Sequence, residues 1–381
     1  MIRLSKKKEC CGCSACASVC PKSSISMKLD EEGFLYPYVD KNTCIDCHLC
    51  EKVCPFINVE PPKKRHSKVF AAISKNEELR LNSSSGGLFS ELAKVVIGEG
   101  GCVYGANFAD GWNVSHICIE HESDISLLRK SKYVQSVIGN TYKEAKKQLL
   151  KGRLVLFSGT SCQIAGLKHF LRKDYGNLIT IEILCHGVPS PKVWNLYLKK
   201  HLASHNYKIS DIASISFRDK VQSMTEYKVS VNMKDGQRIC HFFYEDAYMN
   251  AFLSNLTLRP SCYSCNAKGG SSGSDIVLGD LWNNYQQEPF NNSQGTNVVL
   301  VNTEKGLHLL NRCNLMIADI GNKGIDYYKN SGFQKKQFVN PFRKKFFREL
   351  NEENVIELLK QYSRIPLVWR MLRRIKRILK I

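Results

Sequence analysis

The feature that most constrains this chain is the spacing of its first cysteines. One pattern, C-x2-C-x2-C-x3-C followed by proline, occurs twice before residue 56. The cysteines of the two copies are Cys10, Cys13, Cys16 and Cys20, then Cys44, Cys47, Cys50 and Cys54. Such short spacers let three thiolates converge from one tight loop onto one iron–sulfur cube. The pattern therefore predicts two 4Fe-4S clusters near the start of the chain.

In two-cluster bacterial ferredoxins, the fourth cysteine of each run binds the cluster of the other run. We therefore expect one cluster on Cys10, Cys13, Cys16 and Cys54, and a second on Cys44, Cys47, Cys50 and Cys20. Disulfides are less expected, because the first residues are charged and show no export signal. Zinc sites rarely add a third closely spaced cysteine and a proline. Cys11 is interpreted as a spare thiol and His48 as a surface residue.

The formal charge of +20, from 55 basic and 35 acidic residues, does not indicate nucleic-acid binding. Much of the basic surplus lies near the two ends and between residues 63 and 68, and no nucleic-acid-binding motif is present. The hydrophobic fraction of 43% suits a globular protein with a core. The sequence has no apolar run of about 18 residues, so no membrane-spanning helix is expected.

The chain is predicted to be α+β, with a bacterial-type ferredoxin domain followed by a mixed α/β domain and a basic C-terminal helix. We place the ferredoxin-like domain at 1–60, a linker at 61–68 and the α/β domain at 69–335. The α/β domain divides into an N-terminal part, 69–150, and a C-terminal part, 151–335. Residues 336–381 are predicted to form a basic helical tail.

A strand–helix–strand unit marks the most informative part of the α/β domain. Residues 154–157 and 178–184 are typical of buried strands, and a helix is expected between them. Cys162 and Cys185 each follow one of these strands. Ligands bind at the carboxyl edge of open α/β sheets, so both cysteines are candidate ligands.

The Cys262-x2-Cys265 pair completes a set of four cysteines with Cys162 and Cys185. We infer a third 4Fe-4S cluster on these four residues, and a structural zinc or unrelated buried thiols remain alternatives. The other cysteines are interpreted as isolated core residues; they are Cys102, Cys118, Cys240 and Cys313.

Together these motifs resemble the coenzyme F420 hydrogenase/dehydrogenase beta-subunit family. The matching segments, besides the ferredoxin run, are Ser84-Ser85-Gly86-Gly87, Gly159-Thr160-Ser161-Cys162-Gln163, Ile183-Leu184-Cys185-His186-Gly187, Cys262-x2-Cys265 and Asp275-Ile276-Val277-Leu278-Gly279-Asp280-Leu281-Trp282. The resemblance extends from Cys10 to about residue 335. Archaeal members commonly have an acidic residue after the strand cysteine, where this chain has His186-Gly187.

The resemblance implies an iron–sulfur flavoprotein that binds FAD and one cluster in its α/β domain. The body cluster would use Cys162, Cys185, Cys262 and Cys265. The turns Ser85-Gly86-Gly87 and Gly159-Thr160 are candidate flavin contacts, because small residues at helix starts suit a phosphate. An ordinary N-cap and turn is the alternative for the first of them. Neither G-x-G-x-x-G nor a P-loop is present, so a typical NAD or ATP site is not supported.

The last residues have the pattern of an amphipathic helix. Residues 366–381 contain six basic residues, no acidic residue and apolar residues at helical spacing. This pattern predicts a helix that lies on an anionic membrane surface. Docking of the helix on the protein itself or on a partner protein is the alternative.

The predicted function is an oxidoreductase in which a flavin exchanges hydride with a soluble coenzyme, coenzyme F420-like or unidentified, and electrons pass through 4Fe-4S clusters. The alternatives are a non-catalytic electron-transfer subunit that feeds a separate reductase, and a zinc-stabilised scaffold. The expected partner is a redox protein such as ferredoxin or a reductase subunit. We expect a cytoplasmic protein with peripheral association at the inner face of the membrane.

Overall fold

A computed structural model describes residues 1–61, 68–220, 226–282, 289–290 and 293–364. The amphipathic helix predicted for residues 366–381 lies outside these residues, as does most of the linker predicted at 61–68. Both therefore stay predictions. Within the described residues, no helix is both long enough and apolar enough to cross a membrane.

The ferredoxin domain consists of two short helices and one hairpin. Its elements are α1 (Ala15–Val19), β1 (Ile25–Leu29), β2 (Leu35–Val39) and α2 (Leu49–Lys52). Ser14 and His48 precede the two helices and have left-handed φ angles of 62° and 58°. They occupy the same position in the two cysteine runs, directly after the second cysteine. This turn brings the third cysteine of each run into the first turn of a helix.

The strands of the following domain, called the body, form two sheets. They are β3 (Lys68–Ser74), β4 (Cys102–Phe108), β5 (Val114–Ile119), β6 (Val155–Thr160), β7 (Leu178–Ile183), β8 (Ile212–Lys220), β9 (Tyr227–Met233), β10 (Arg238–Phe242), β11 (Ile276–Asp280), β12 (Asn297–Val301) and β13 (Leu315–Asp319). Within the described residues, the larger sheet has the order β13-β3-β12-β11-β7-β6-β4-β5, and the smaller one β10-β9-β8.

The centre of the larger sheet contains the strand–helix–strand unit expected from the sequence. Strands β4, β6, β7 and β11 are parallel, and β6 pairs with β7 from Val155↔Leu178 to Thr160↔Ile183. Most residues of these strands are buried, as expected where helices cover both faces of a parallel sheet. The carboxyl ends of all four strands therefore lie along one edge, which we call the carboxyl edge.

Helices surround both sheets. They are α3 (Glu77–Leu81), α4 (Leu88–Gly98), α5 (Ile125–Leu128), α6 (Thr141–Leu150), α7 (Ser161–Leu171), α8 (Pro191–Ala203), α9 (Ala247–Leu253), α10 (Glu304–Asn311), α11 (Gly321–Asn330), α12 (Arg343–Glu349) and α13 (Val355–Ser363). A separate core forms around the smaller sheet with α8 and α9, and Phe346 and Leu359 are fully buried in it. The described part of the predicted tail thus packs on the body.

The ferredoxin domain packs directly on the body. A Cβ on Gly33, in the β1–β2 turn, would lie 2.3 Å from the Lys192 Cβ at the start of α8. Ser190 donates its hydroxyl to the Glu32 carbonyl oxygen at 2.5 Å. On α7, a Cβ on Gly166 would lie 2.8 Å from the Cys13 sulfur. The absence of side chains at two glycines therefore lets the cysteine loop and the hairpin approach the body closely.

Candidate metal centres and cofactor site

The structure brings together the four cysteines assigned to the first ferredoxin cluster. The three sulfurs of Cys10, Cys13 and Cys54 interact with Cys16, and burial together with these like charges raises the pKa of Cys16. Burial likewise raises the pKa of Cys54 to about 11. The fourth cysteine of the second run therefore completes the first set, as the sequence pattern predicts.

The second set lines a cleft in the ferredoxin domain with an empty volume of ≈ 350 Å³. Its four cysteines are Cys20, Cys44, Cys47 and Cys50. Cys47 is exposed, and Cys50 accepts a hydrogen bond from the Ile2 amide at 3.3 Å. His48 is exposed and interacts with Glu51, consistent with its interpretation as a surface residue. This set is the more accessible of the two.

The four body cysteines line a second cleft, with an empty volume of ≈ 380 Å³. Cys162 lies in the first turn of α7, Cys185 follows β7, and Cys262 and Cys265 belong to the segment after α9. The Val188 amide donates to the Cys262 sulfur at 3.4 Å. A Cβ on Gly187 would approach the Leu258 side chain to 2.8 Å, so a glycine lets these two loops pack together. The cleft lies at the carboxyl edge of the sheet.

The body cysteines lie in surroundings that favour a positively charged metal group beside them. Burial raises the pKa of Cys262 to about 11 and of Cys265 to about 12, so both thiols need a nearby positive charge to ionise. Bound iron supplies such a charge. Among the described residues, no three His, Cys, Asp or Glu side chains converge closely enough for a single metal ion. The four sulfurs line one cleft, and a 4Fe-4S cluster on them stays a prediction.

Cys11 lies between the first ferredoxin set and the body set. Its thiol is fully buried and lies within hydrogen-bond reach of the sulfurs of Cys13 and Cys162. The hydrogen bond from Cys11 lowers the pKa of Cys162 to about 7. Cys11 is thus located at the junction of two ligand sets. Its interpretation as a spare thiol did not predict this location.

The predicted flavin turn at Ser85, Gly86 and Gly87 is closely packed on the sheet. Ser85 donates its hydroxyl to the Thr296 carbonyl oxygen at 2.9 Å. A Cβ on Gly86 would lie 2.6 Å from the Ala72 carbonyl oxygen, and Gly87 precedes α4 with a φ of 86°. These contacts explain the residue types without a ligand. A flavin contact at this turn stays a prediction.

The other predicted flavin contacts lie beside the body cleft. Thr160 lines the cleft, forms a capping box with Gln163 and has its hydroxyl 3.3 Å from the Cys162 sulfur. A Cβ on Gly159 would lie 3.6 Å from Nε2 of His116. Burial lowers the pKa of His116 to about 4, so this ring is neutral near pH 7. Both residues lie at the carboxyl edge of the sheet.

A group of basic side chains, which we call the cationic cluster, lies near the same edge. Its members interact with one another electrostatically; they are Arg80, Lys130, Lys132, Arg218 and Lys220. Burial lowers the pKa of Lys132 to about 7. The pKa of Lys220 is also lowered to about 7, by burial and by the positive charges of Arg80 and Arg218. Lys220 donates to the Ser85 carbonyl oxygen at 3.0 Å, which connects the cluster to the predicted flavin turn.

Arg218 has hydrogen-bonding capacity that its protein surroundings do not use. Its side chain is 3% exposed, and one Nη atom pairs with Asp280 at the end of β11. The guanidinium lies over the rings of Tyr227 and Trp282, 5.1 and 5.2 Å from their centroids. Among the described residues, its Nε and Nη2 atoms have no hydrogen bond of good geometry, although the Tyr133 hydroxyl lies beside the guanidinium. Buried donors without partners are rare, and an ordered water, an ion or a bound group can satisfy them.

Sequence reasoning missed the basic residues of these sites. Arg218 and Lys220 lie at the end of an edge strand of the smaller sheet, and nothing in their spacing links them to β11. Arg259 directly precedes the Pro260 and Cys262 segment, and this adjacency was the one signal available.

The cysteines interpreted as isolated also differ from expectation, because Cys102 and Cys118 lie within hydrogen-bond reach of each other across β4 and β5.

Known proteins resemble this chain in both of its parts. Residues 152–318 match the family described as the C terminus of the beta subunit of coenzyme F420 hydrogenase/dehydrogenase, and residues 9–58 match the 4Fe-4S dicluster domain. No curated protein matches the chain. Among solved structures, a chain from the F420-reducing NiFe hydrogenase complex of Methanosarcina barkeri is 15% identical, with a TM-score of 0.48. The similarity covers 80% of this chain and 93% of that chain.

Proposed function

We propose that this chain is a flavin-dependent oxidoreductase. It is an iron–sulfur electron-transfer protein that belongs to the coenzyme F420 hydrogenase/dehydrogenase beta-subunit family and carries a 4Fe-4S dicluster domain. Its three cysteine sets would hold three 4Fe-4S clusters, and its body would bind one FAD. A bound flavin supplies the exchange between two-electron hydride chemistry and one-electron cluster chemistry. The hydride partner would be a soluble coenzyme, coenzyme F420-like or of another kind.

The single observation that carries the flavin proposal is the buried face of Arg218, whose Nε and Nη2 atoms have no hydrogen bond of good geometry among the described residues. A cofactor diphosphate would accept hydrogen bonds from Nε and Nη2 and would offset the positive charges of Lys132 and Lys220. The ion pair with Asp280 would keep the Arg218 side chain oriented. The cationic cluster and the body cysteines lie along one carboxyl edge, where open α/β sheets bind their ligands. A flavin between them would be next to the body cluster.

The order of the cysteine sets supports a relay of single electrons. The set of Cys20, Cys44, Cys47 and Cys50 is nearest the surface, and Cys47 is exposed. The set that includes Cys13 lies between it and the body, and Cys11 connects Cys13 with Cys162. A redox partner protein such as ferredoxin or a reductase subunit would contact the surface set first. The protein would hold the three sets in this order.

Replacing Arg218 with glutamine should weaken FAD binding and leave the iron content unchanged. The substitution removes a charge-assisted contact of about 1.5–3 kcal/mol, which corresponds to roughly 10- to 100-fold weaker binding. Flavin retained after gel filtration, and FAD titration of the flavin-free protein, measure the change. Arg238→Gln is a matched control, because Arg238 pairs with Asp219 on the same small sheet and is 42% exposed.

Equal FAD affinity in Arg218→Gln and wild type would contradict this site. Absence of FAD binding by the wild-type protein, with all irons present, would instead favour the second candidate, a non-catalytic electron-transfer subunit that feeds a separate reductase.

A further inference from the structure

A single buried arginine contacts both the ferredoxin domain and the body cleft. Arg259 is fully buried and lines the body cleft, three residues before Cys262. Its Nε donates to the Cys10 carbonyl oxygen at 2.8 Å, and its Nη2 lies 3.6 Å from the Cys10 sulfur. Its charge acts on Cys10 and Cys13 of the first ferredoxin set and on Cys162 and Cys262 of the body set.

The surroundings of Arg259 fix its guanidinium in place. Nη2 donates to the Leu35 carbonyl oxygen at 2.9 Å, and Nη1 donates to Gln135 at 3.1 Å. Gln135 in turn donates to the Cys11 carbonyl oxygen at 3.0 Å. The centroid of the Tyr36 ring lies 4.3 Å from the guanidinium carbon. A Cβ on Gly12 would lie 2.8 Å from Nη1, so the glycine of the first cysteine loop makes room for this cation.

We propose that Arg259 is a positioning residue shared by two clusters, which holds the Cys10–Cys13 loop beside the body set and raises the reduction potentials of both clusters. A nearby positive charge and hydrogen bonds to ligand sulfurs stabilise the reduced, more negative form of an iron–sulfur cluster. Because one cation acts on both sets, their two potentials rise together, and the difference between them changes less than either potential. This inference rests on the third cluster of the proposed function.

Arg343 provides a matched control for the docking role alone. It donates to the Leu258 carbonyl oxygen at 3.1 and 3.0 Å and forms a two-point ion pair with Glu32 of the ferredoxin domain. It therefore attaches the same domain to the same segment of the body, next to Arg259. Within the described part of the chain, its hydrogen bonds and ring contacts involve Glu32, Leu258 and aromatic side chains, and they include no cysteine sulfur.

The test is a redox titration of the anaerobically purified full chain, followed by electron paramagnetic resonance. Arg259→Gln should shift the midpoint potentials of the first ferredoxin cluster and the body cluster to more negative values. Arg259→Lys keeps the charge, so both potentials should return most of the way to their wild-type values. Arg343→Gln should leave both potentials near wild type. The cluster on Cys20, Cys44, Cys47 and Cys50 is an internal reference, because its potential should not move.

Unchanged potentials in Arg259→Gln with full iron content would overturn the inference and leave the proposed function intact. Equal shifts in Arg343→Gln would overturn it as well, because the effect would then come from docking. If Arg259→Gln does not fold, Arg259→Lys is compared with Arg343→Gln. Potentials that are lower in Arg259→Lys than in Arg343→Gln would also count against the inference. Absence of a body-cluster signal in the wild type would contradict the proposed function and the shared role together.

Discussion

Replacing Cys162 with alanine should remove the body cluster and lower the iron content from about twelve to about eight atoms per chain. Cys162 begins α7 at the carboxyl edge and lines the same cleft as Cys185, Cys262 and Cys265. Three remaining thiolates hold a cube poorly, whereas alanine suits the first turn of a helix. Iron and acid-labile sulfide analysis measures the loss, and the resonance signals of the ferredoxin clusters should persist.

Cys313→Ala is the control for Cys162→Ala. Cys313 is partly buried after α10, and its thiol donates to the Leu309 carbonyl oxygen, away from the three cysteine sets. Its replacement should leave the iron content unchanged. Full iron content in Cys162→Ala would show that the body set does not hold a cluster through this residue.

Removing iron should unfold the ferredoxin domain and leave the larger sheet of the body folded. Apart from its cysteines, the domain buries few apolar side chains completely; they are Ala15, Phe34 and Val53. A segment of about 60 residues with so small a core needs its metal for stability. Strands β6 and β7, in contrast, are almost wholly buried among other strands and helices.

Hydrogen exchange before and after treatment with an iron chelator and an oxidant measures this difference. Amides of β1 and β2 should lose protection completely, while those of β6 and β7 should keep most of theirs. Retained protection in β1 and β2 after loss of all iron would contradict a metal-dependent domain. Uniform loss across the whole chain would show that the body depends on iron as well.

The sequence predicts the parts of this protein that depend on short spacing. The two cysteine runs alone indicate which eight residues come together. They also indicate that Cys54 joins the set of the first run and Cys20 the set of the second. Apolar runs correctly predict β6, α7 and β7, because a short continuous apolar run is typical of a buried strand. A hairpin with Asp235-Gly236 at its turn connects β9 and β10, and this dipeptide is typical of such turns.

Contacts between distant segments could not be predicted in this way. Arg259 and Cys10 are 249 positions apart, and Arg218 meets Asp280 only because the smaller sheet packs against the larger one. Strand β3 lies between β12 and β13 in the sheet, although more than half of the chain separates it from both of them. Buried cations and unused hydrogen-bond donors appear only when such segments are brought together.

The most direct test of the central claim is the cofactor content of the wild-type protein. After anaerobic purification, iron, acid-labile sulfide and released flavin are measured per chain. A three-cluster flavoprotein should contain about twelve irons, about twelve sulfides and about one FAD. About eight irons without flavin would leave clusters in the ferredoxin domain alone and would contradict both the body cluster and the flavin-dependent function.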